Sequence, residues 1–265
     1  MPKACAYCGA TTNKLTREHI WPSCIIERVP TYNARYSERA NKVFNGDLTI
    51  SDVCVDCNSG PLSHLDNYIC KLYDRWFVQF PERGQWLNFD YDWSLLGRWL
   101  LKISFNSARA SGSDSVVLAR FANTILGIDP RTPDLAIWLD LAEPTYFENE
   151  YGGGLVGLKR VLPLMTRVCR IQIPDANIPN YTVRLVAINA FYFYLAIPNF
   201  PYSGVFNGLE RIAEFFALMA NLDPDESSVR AKTTGLSSHL LIGPHLREKQ
   251  SLYEAYFRRE GKNKT

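Results

Sequence analysis

Two short cysteine pairs, Cys5-x2-Cys8 and Cys54-x2-Cys57, constrain the first quarter of this 265-residue chain more than any apolar run does. Two residues between thiolates let one tight turn present both sulfurs to the same ion, and a second such turn completes the tetrahedral four-sulfur shell that zinc prefers. The seven cysteines are an odd number, and the opening MPKACAYCGA has no apolar leader core. A metal site therefore explains the pairs better than a disulfide framework does. We expect Cys5, Cys8, Cys54 and Cys57 to hold a structural Zn2+ in a reducing, cytoplasmic setting. Four thiolates also suit iron, and one C-x2-C alone would suit redox work, so both alternatives stay open. Cys24, Cys70 and Cys169 are isolated in sequence and read as small core hydrophobes.

The pairs fall in a segment with few long apolar runs, as expected of a small module stapled by metal because its own core is thin. We place that module at residues 1–75. It ends in a helix over residues 58–73, where Leu62, Leu65, Ile69 and Leu72 form one buried stripe. Beyond it the chain turns aromatic and apolar. Helices are expected at 93–109, 115–126 and 206–222, and strands at 135–141, 167–173, 181–188 and 191–197. This order implies an α+β protein whose second domain, 76–265, is built on an antiparallel sheet with helices on one side. The longest uncharged run, Leu185 to Leu209, is interrupted by Asn and Pro, so no membrane span is expected. A net charge of +2 neither announces a nucleic-acid partner nor excludes a local basic patch. Gly152-Gly153-Gly154 lacks the setting of a phosphate loop and reads as a turn.

Between the cysteine pairs lies Leu15-Thr16-Arg17-Glu18-His19-Ile20-Trp21-Pro22, and Asn58 follows the last cysteine directly. Hydrolysing a phosphodiester needs an activated water and stabilisation of the charge that develops on the phosphate. A neutral imidazole, with an unperturbed pKa of ~6.5, can take the water's proton near neutral pH. The ordered pattern C-x2-C, Glu-His-Ile-x-Pro, C-x2-C-Asn resembles the HNH endonucleases of ββα-metal fold, in particular their zinc-stapled, endonuclease VII-like branch. The resemblance covers the first quarter of the chain. It implies His19 as general base, with Glu18 and Asn58 giving oxygens to a divalent ion such as Mg2+. It implies a nucleic-acid substrate, most readily DNA, and a role in restriction or phage defence. It also implies that zinc ties the first cysteine turn to the helix start, setting Asn58 opposite Glu18 and His19. Since neighbours on a strand face opposite ways, a bulge or turn is needed to bring Glu18 and His19 to one place. Taken alone, Asn58 is an ordinary helix N-cap.

Many members of that family carry Asn-Leu ahead of the second cysteine pair, where this chain has Thr49-Ile50. Thr49 or Asn45 would have to replace the middle Asn. His64 lies about 120° around the helix from Asn58, which suits a phosphate contact better than a metal ligand. Asp66 reads first as a helix-dipole residue. Arg17, Arg28, Arg35, Arg39 and Lys42 are candidate backbone contacts to nucleic acid, with a solvated loop as the competing reading. Lys102, Asn106 and Arg109 share a helical face expected to be solvated or to meet phosphate. The larger domain carries no assignable motif and is expected to recognise substrate, a protein partner or a second copy. The competing function is a zinc-containing nucleic-acid-binding protein that does not turn over.

Overall fold

Strand, tight knuckle and helix alternate quickly through the first eighty residues, and the chain then settles into longer elements. A computed structural model describes residues 3–28, 34–37, 41–45, 48–129, 135–149, 157–173, 178, 180–200, 206–234, 250–252, 254–256 and 258–259, without the side chains of 34–37, 42–45, 147–149, 157–159 and 206–207. Its elements are β1 (Leu15–His19), α1 (Ser23–Arg28), β2 (Ala34–Ser37), β3 (Lys42–Asn45), β4 (Thr49–Cys54), α2 (Val55–Cys57), α3 (Ser63–Leu72), β5 (Trp86–Asp90), α4 (Trp93–Ser111), α5 (Ser115–Ala119) and α6 (Ala122–Leu126). They continue with β6 (Ala136–Leu141), β7 (Thr145–Asn149), β8 (Gly157–Val161), β9 (Thr166–Ile171), β10 (Tyr181–Ile188), β11 (Phe191–Pro198), α7 (Phe206–Phe215), β12 (Ala220–Leu222) and β13 (Ser228–Lys232). Mixed helix and strand agree with the α+β expectation. Among the described residues no helix is long and apolar enough to cross a membrane.

Where the sequence reading divides the chain at residue 75, contacts group residues 1–70 with 94–134 and 239–265 in one unit, and 71–93 with 135–238 in another. In the first unit β1 and β4 run antiparallel, Leu15 against Cys54 and His19 against Thr49, with a one-residue slip between Thr16 and Glu18. The helix begins at Val55, three residues ahead of expectation, because Cys54 is still extended (φ −72, ψ 157) and serves as its N-cap. Asn58 is consequently inside the helix (φ −68, ψ −51) and is not its cap. Pro61 forces Gly60 out of helical geometry (φ −96, ψ −106), and the turn Asn58–Leu62 widens around it. Beyond the kink, Leu62, Leu65, Ile69 and Leu72 are buried as the stripe predicts. Helical turns continue over Tyr73–Phe77.

α4 departs most from its sequence reading. Leu96, Leu100 and Ile103 are buried, as is Trp99, but so are Lys102 and Asn106 from the supposed outer face. A helix buried on every side must find partners for its polar groups, and these come from the N-terminal segment. The helix expected over 115–126 is two short ones, parted at Arg120–Phe121. Gly127 closes α6 in the left-handed conformation (φ +74), and the Arg98 guanidinium donates to the Ile125 carbonyl at 3.1 and 3.2 Å.

The second unit holds an antiparallel sheet in the order β12-β6-β11-β10-β9, with β10 and β11 paired from Tyr181–Pro198 to Ile188–Phe191. The expected strands at 135–141, 167–173, 181–188 and 191–197 are all present, within two residues at each end. The helix expected to reach 222 ends at Phe215 instead, and Ala220–Leu222 pairs with β6 as an edge strand. Helix propensity in this segment is outweighed by the hydrogen bonds that the sheet edge offers. β5 and β13 form a separate two-stranded ribbon, as do β7 and β8. Gly152–Gly154, His239 and His245 lie outside the described residues.

Candidate active site and metal centre

The first cysteine pair sits in a knuckle whose shape follows from Gly9. Its φ of +72 lets the chain fold back so that the Gly9 N–H donates to the Cys5 carbonyl at 2.9 Å, and Cys5 N–H donates to the Ala10 carbonyl at 2.9 Å. Ala6 N–H donates to Asp52 O at 2.9 Å and Val55 N–H to Lys14 O at 3.0 Å, docking the knuckle on β4 and the helix start. The ligand atoms of Cys5, Cys8, Cys54 and Cys57 then lie within 4.8 Å of one another, and Cys8 Sγ is 3.7 Å from Cys54 Sγ. A tetrahedron with bonds of about 2.3 Å has edges of about 3.8 Å, so this spacing can hold a metal ion such as zinc. Burial works to raise the Cys5 thiol, but backbone N–H groups of Cys8, Cys54 and Tyr7 outweigh it and hold the pKa at about 7. Burial pushes the Cys57 thiol well up, as do its sulfur neighbours, a cost that a bound cation would remove.

Beside this cluster β1, the loop to α1 and the helix enclose a pocket of about 420 Å³. Arg17, Glu18, His19 and Asn58 all line it. The slip in the β1–β4 register falls between Thr16 and Glu18, ahead of the Glu18–His19 pair, which itself keeps regular register against Ile50 and Thr49. Asn58 Nδ2 donates to Thr16 Oγ1 and to the Arg17 carbonyl, both at 3.0 Å, so the amide pins the helix to the strand at that irregularity. The remaining polar lining comes from Ser59, Ser63, Asp66 and Asn67 on the helix. Their spacing marks a polar helical stripe beside the Leu62–Leu72 one, a signal present in the sequence.

The pocket's acids are tied to α4. Lys102, 1% exposed, donates through Nζ to Glu18 Oε1 at 2.7 Å and to Asp66 Oδ1 at 2.6 Å. Trp99 Nε1 donates to the same Asp66 oxygen at 3.2 Å, and Asn106 Nδ2 approaches Glu18 Oε1 at 3.4 Å. Tyr7, from the cysteine knuckle, donates to Asn106 Oδ1 at 2.5 Å, and Arg109 bonds both Asn106 and Asp52 at 2.7 Å. Burial pushes the Glu18 carboxyl up, with Lys102 opposing it, and burial likewise raises the Tyr7 phenol against the pull of Arg109. The face of α4 expected to be solvated or to meet phosphate is therefore an internal polar seam. Nothing local in the sequence marks Lys102 as the partner of Glu18 and Asp66, which are 84 and 36 positions away.

The other candidates scatter. Arg17 is exposed at the pocket, whereas His64 is exposed on α3 and does not line it. Arg28 is exposed and donates to the Cys24 carbonyl at 3.0 Å. Thr49 stands across from His19 and is exposed. Arg35, Lys42 and Asn45 lie on β2 and β3 with side chains outside the described set, and Arg39 is outside it altogether. The reading of Cys24 and Cys70 as free core hydrophobes is corrected: they form a disulfide with a Cα–Cα distance of 6.2 Å, joining α1 to α3 on the pocket wall. The folding of α1 against the helix brings together two cysteines 46 positions apart, which spacing alone does not reveal. Cys169 remains free. No family model, curated protein or solved structure matches this chain.

Proposed function

We propose that the chain is a metal-dependent HNH-type endonuclease that hydrolyses phosphodiester bonds of DNA, with a structural zinc at Cys5, Cys8, Cys54 and Cys57. The observation that carries this reading is that Glu18 and His19 of β1 and Asn58 of the helix line one pocket beside the four-cysteine cluster. The β1–β4 pair followed by a helix is the order a ββα-metal module requires. The same reading carries the restriction or phage-defence role and the cytoplasmic setting, where the Cys24–Cys70 pair would be the exception to a reduced thiol set.

The donor set fits a hard divalent ion. Asn58 commits its amide nitrogen to β1, which leaves its oxygen as the ligand atom, and Glu18 contributes a carboxylate. Glu18 and Asp66 against Lys102 leave this side of the pocket net negative. An ion such as Mg2+ held there supplies charge neutralisation at the scissile phosphate. His19 takes the proton from the attacking water, Arg17 at the exposed rim meets the phosphodiester backbone, and Asn58 keeps β1 and the helix in register. The test is cleavage of supercoiled, linear and single-stranded DNA with Mg2+ or Mn2+. His19→Ala should lose roughly 10²- to 10⁴-fold in rate while retaining binding. No cleavage of any DNA form by the intact, metal-loaded protein would sink the enzyme reading.

Two observations favour the runner-up, a zinc-containing nucleic-acid-binding protein without turnover. The Glu18 carboxylate is already compensated by buried Lys102, and Thr49 stands where relatives of the proposed family carry Asn. DNA binding that His19→Ala does not alter, together with no cleavage by the parent, is the outcome specific to that reading.

A further inference from the structure

The β5–β13 ribbon of the second unit carries an exposed aromatic ring among cations. Its register pairs Lys232 with Trp86, Arg230 with Asn88 and Ser228 with Asp90. Residues directly across an antiparallel pair share a face, so these six side chains form one surface. The other face turns inward on Phe89 and Ala231, at 0% and 1% exposure. Phe89 packs at tilted angles, 5.7 and 5.8 Å between ring centroids, against Phe191 and Phe193 of the main sheet, which makes the ribbon a firm base. Trp86 is 52% exposed. The Arg230 guanidinium lies 4.5 Å and the Lys232 ammonium 5.2 Å from its ring centroid.

Two cations held at a tryptophan stabilise the ribbon to a modest degree, and that does not require half the ring to stay in water. Surrounding charge indicates what would cover it. Arg83, with its side chain 85% exposed, precedes Trp86 in the turn, while nearby Glu82 is bonded to Arg160 at 2.7 Å. Asp90, at the opposite end of the face, is bonded to Arg75. Glu143 lies 3.9 Å from Arg83, so the Trp86 end is positive by count, with both nearby carboxylates facing arginines. Arg230 and Lys232 are two positions apart on one strand, about 6.8 Å, close to one step of an extended sugar–phosphate backbone. A half-exposed tryptophan ring with two cations against it suits unstacked bases joined by phosphates. A duplex keeps its bases stacked and could use only the charges.

We propose that the Trp86–Arg230–Lys232 face binds a single-stranded polynucleotide, one base stacking on Trp86 while the adjoining phosphates lie on Arg230 and Lys232. The choice of a polynucleotide rests on the nuclease reading, and the experiment separates the two. In the full-length protein carrying His19→Ala, which prevents cleavage during titration, binding of labelled oligothymidylate is measured by anisotropy and by Trp fluorescence. Adding Trp86→Ala should weaken binding roughly 5- to 150-fold, the range for loss of one stacked base, while Trp86→Phe recovers most of it. Adding Arg230→Ala and Lys232→Ala should lower the salt slope of log K by about 1.4, the value for two phosphate contacts to a single strand. Duplex DNA should be insensitive to Trp86→Ala. Thermal melting of each variant, with Trp86→Phe as the gentle substitution, separates loss of binding from loss of fold.

Equal oligothymidylate affinity in parent and patch variants overturns the inference. So does a failure of the parent to bind, or a response of heparin to Trp86→Ala equal to that of the oligonucleotide. Cleavage by the wild-type protein with an inert patch would leave the nuclease reading standing alone. Binding through the patch without cleavage would leave only the surface.

Discussion

At the centre of the second unit's sheet, Phe191, Phe193 and Leu195 are fully buried, and the rings of Phe77 and Phe89 approach Phe191 at 5.0 and 5.7 Å. In the first unit the matching position, the middle of α4, holds an ammonium, an amide and a guanidinium bonded to Glu18, Asp66, Tyr7 and Asp52. Apolar packing is non-directional and tolerates small displacements, whereas a buried ion pair is favourable only in one geometry. The comparison teaches that the first unit gives up the more forgiving kind of core in order to fix its pocket-lining carboxylates. A disulfide and a four-cysteine cluster able to hold a metal ion tie down the remainder.

The sharpest way to separate the units is to strip the zinc proposed for the four cysteines. Binding energy in structural zinc sites, roughly 10–16 kcal/mol, is folding energy. Chelation or Cys57→Ser should therefore abolish hydrogen-exchange protection over residues 15–19 and 49–72, and leave 181–198 protected. Equal protection of both regions afterwards would erase the distinction drawn here.

A smaller effect compares the two cores directly. Lys102→Met leaves buried Glu18 and part-buried Asp66 without their counter-ion and should cost roughly 3–5 kcal/mol in urea denaturation. Phe193→Ala should cost a similar ~3–5 kcal/mol through its cavity. The difference lies in the remedy: adding Glu18→Gln should recover part of the Lys102→Met loss and none of the Phe193→Ala loss. Strict additivity in both double mutants would mean that the polar seam has no special coupling.

The smallest effect is in pH. A carboxyl whose folded pKa lies above its unfolded one binds protons more tightly when folded. Stability should accordingly fall as pH rises from the ordinary glutamate value of ~4.3 through the elevated value that burial gives Glu18. Without added Mg2+, Glu18→Gln should flatten this slope for the first unit, and Phe193→Ala should leave it unchanged. Denaturation midpoints taken across that window check the sign.

What could be read from the sequence follows the same divide. β10 and β11 are continuous β-branched and aromatic runs between Asn and Pro punctuation, and the Leu62–Leu72 stripe repeats at helical spacing, so each is encoded by its own residues. The cysteine pairs were also legible from their spacing, and the meeting of Glu18, His19 and Asn58 at one pocket followed from the family resemblance that their order carries. The pairing of Lys102 with Glu18 and Asp66 and the union of Cys24 with Cys70 were not. They arise only once distant segments have packed, and a polar face on α4 looks the same in sequence whether it meets water or a buried acid. β12 was lost to helix propensity, since only its neighbour β6 explains why it is extended.

Because the chain leaves the first unit after Cys70, returns at Ser94, leaves again after Asp134 and returns at His239, the units are threaded through one another in the order of translation. A ribosome that has released only the first seventy residues has made Glu18 and Asp66 but not Lys102. The pocket must then wait, half assembled, for a helix synthesised after the beginning of the other unit. A gene fragment ending near codon 75 would encode the cysteine cluster and the candidate site residues, yet omit the cation that makes burying them tolerable.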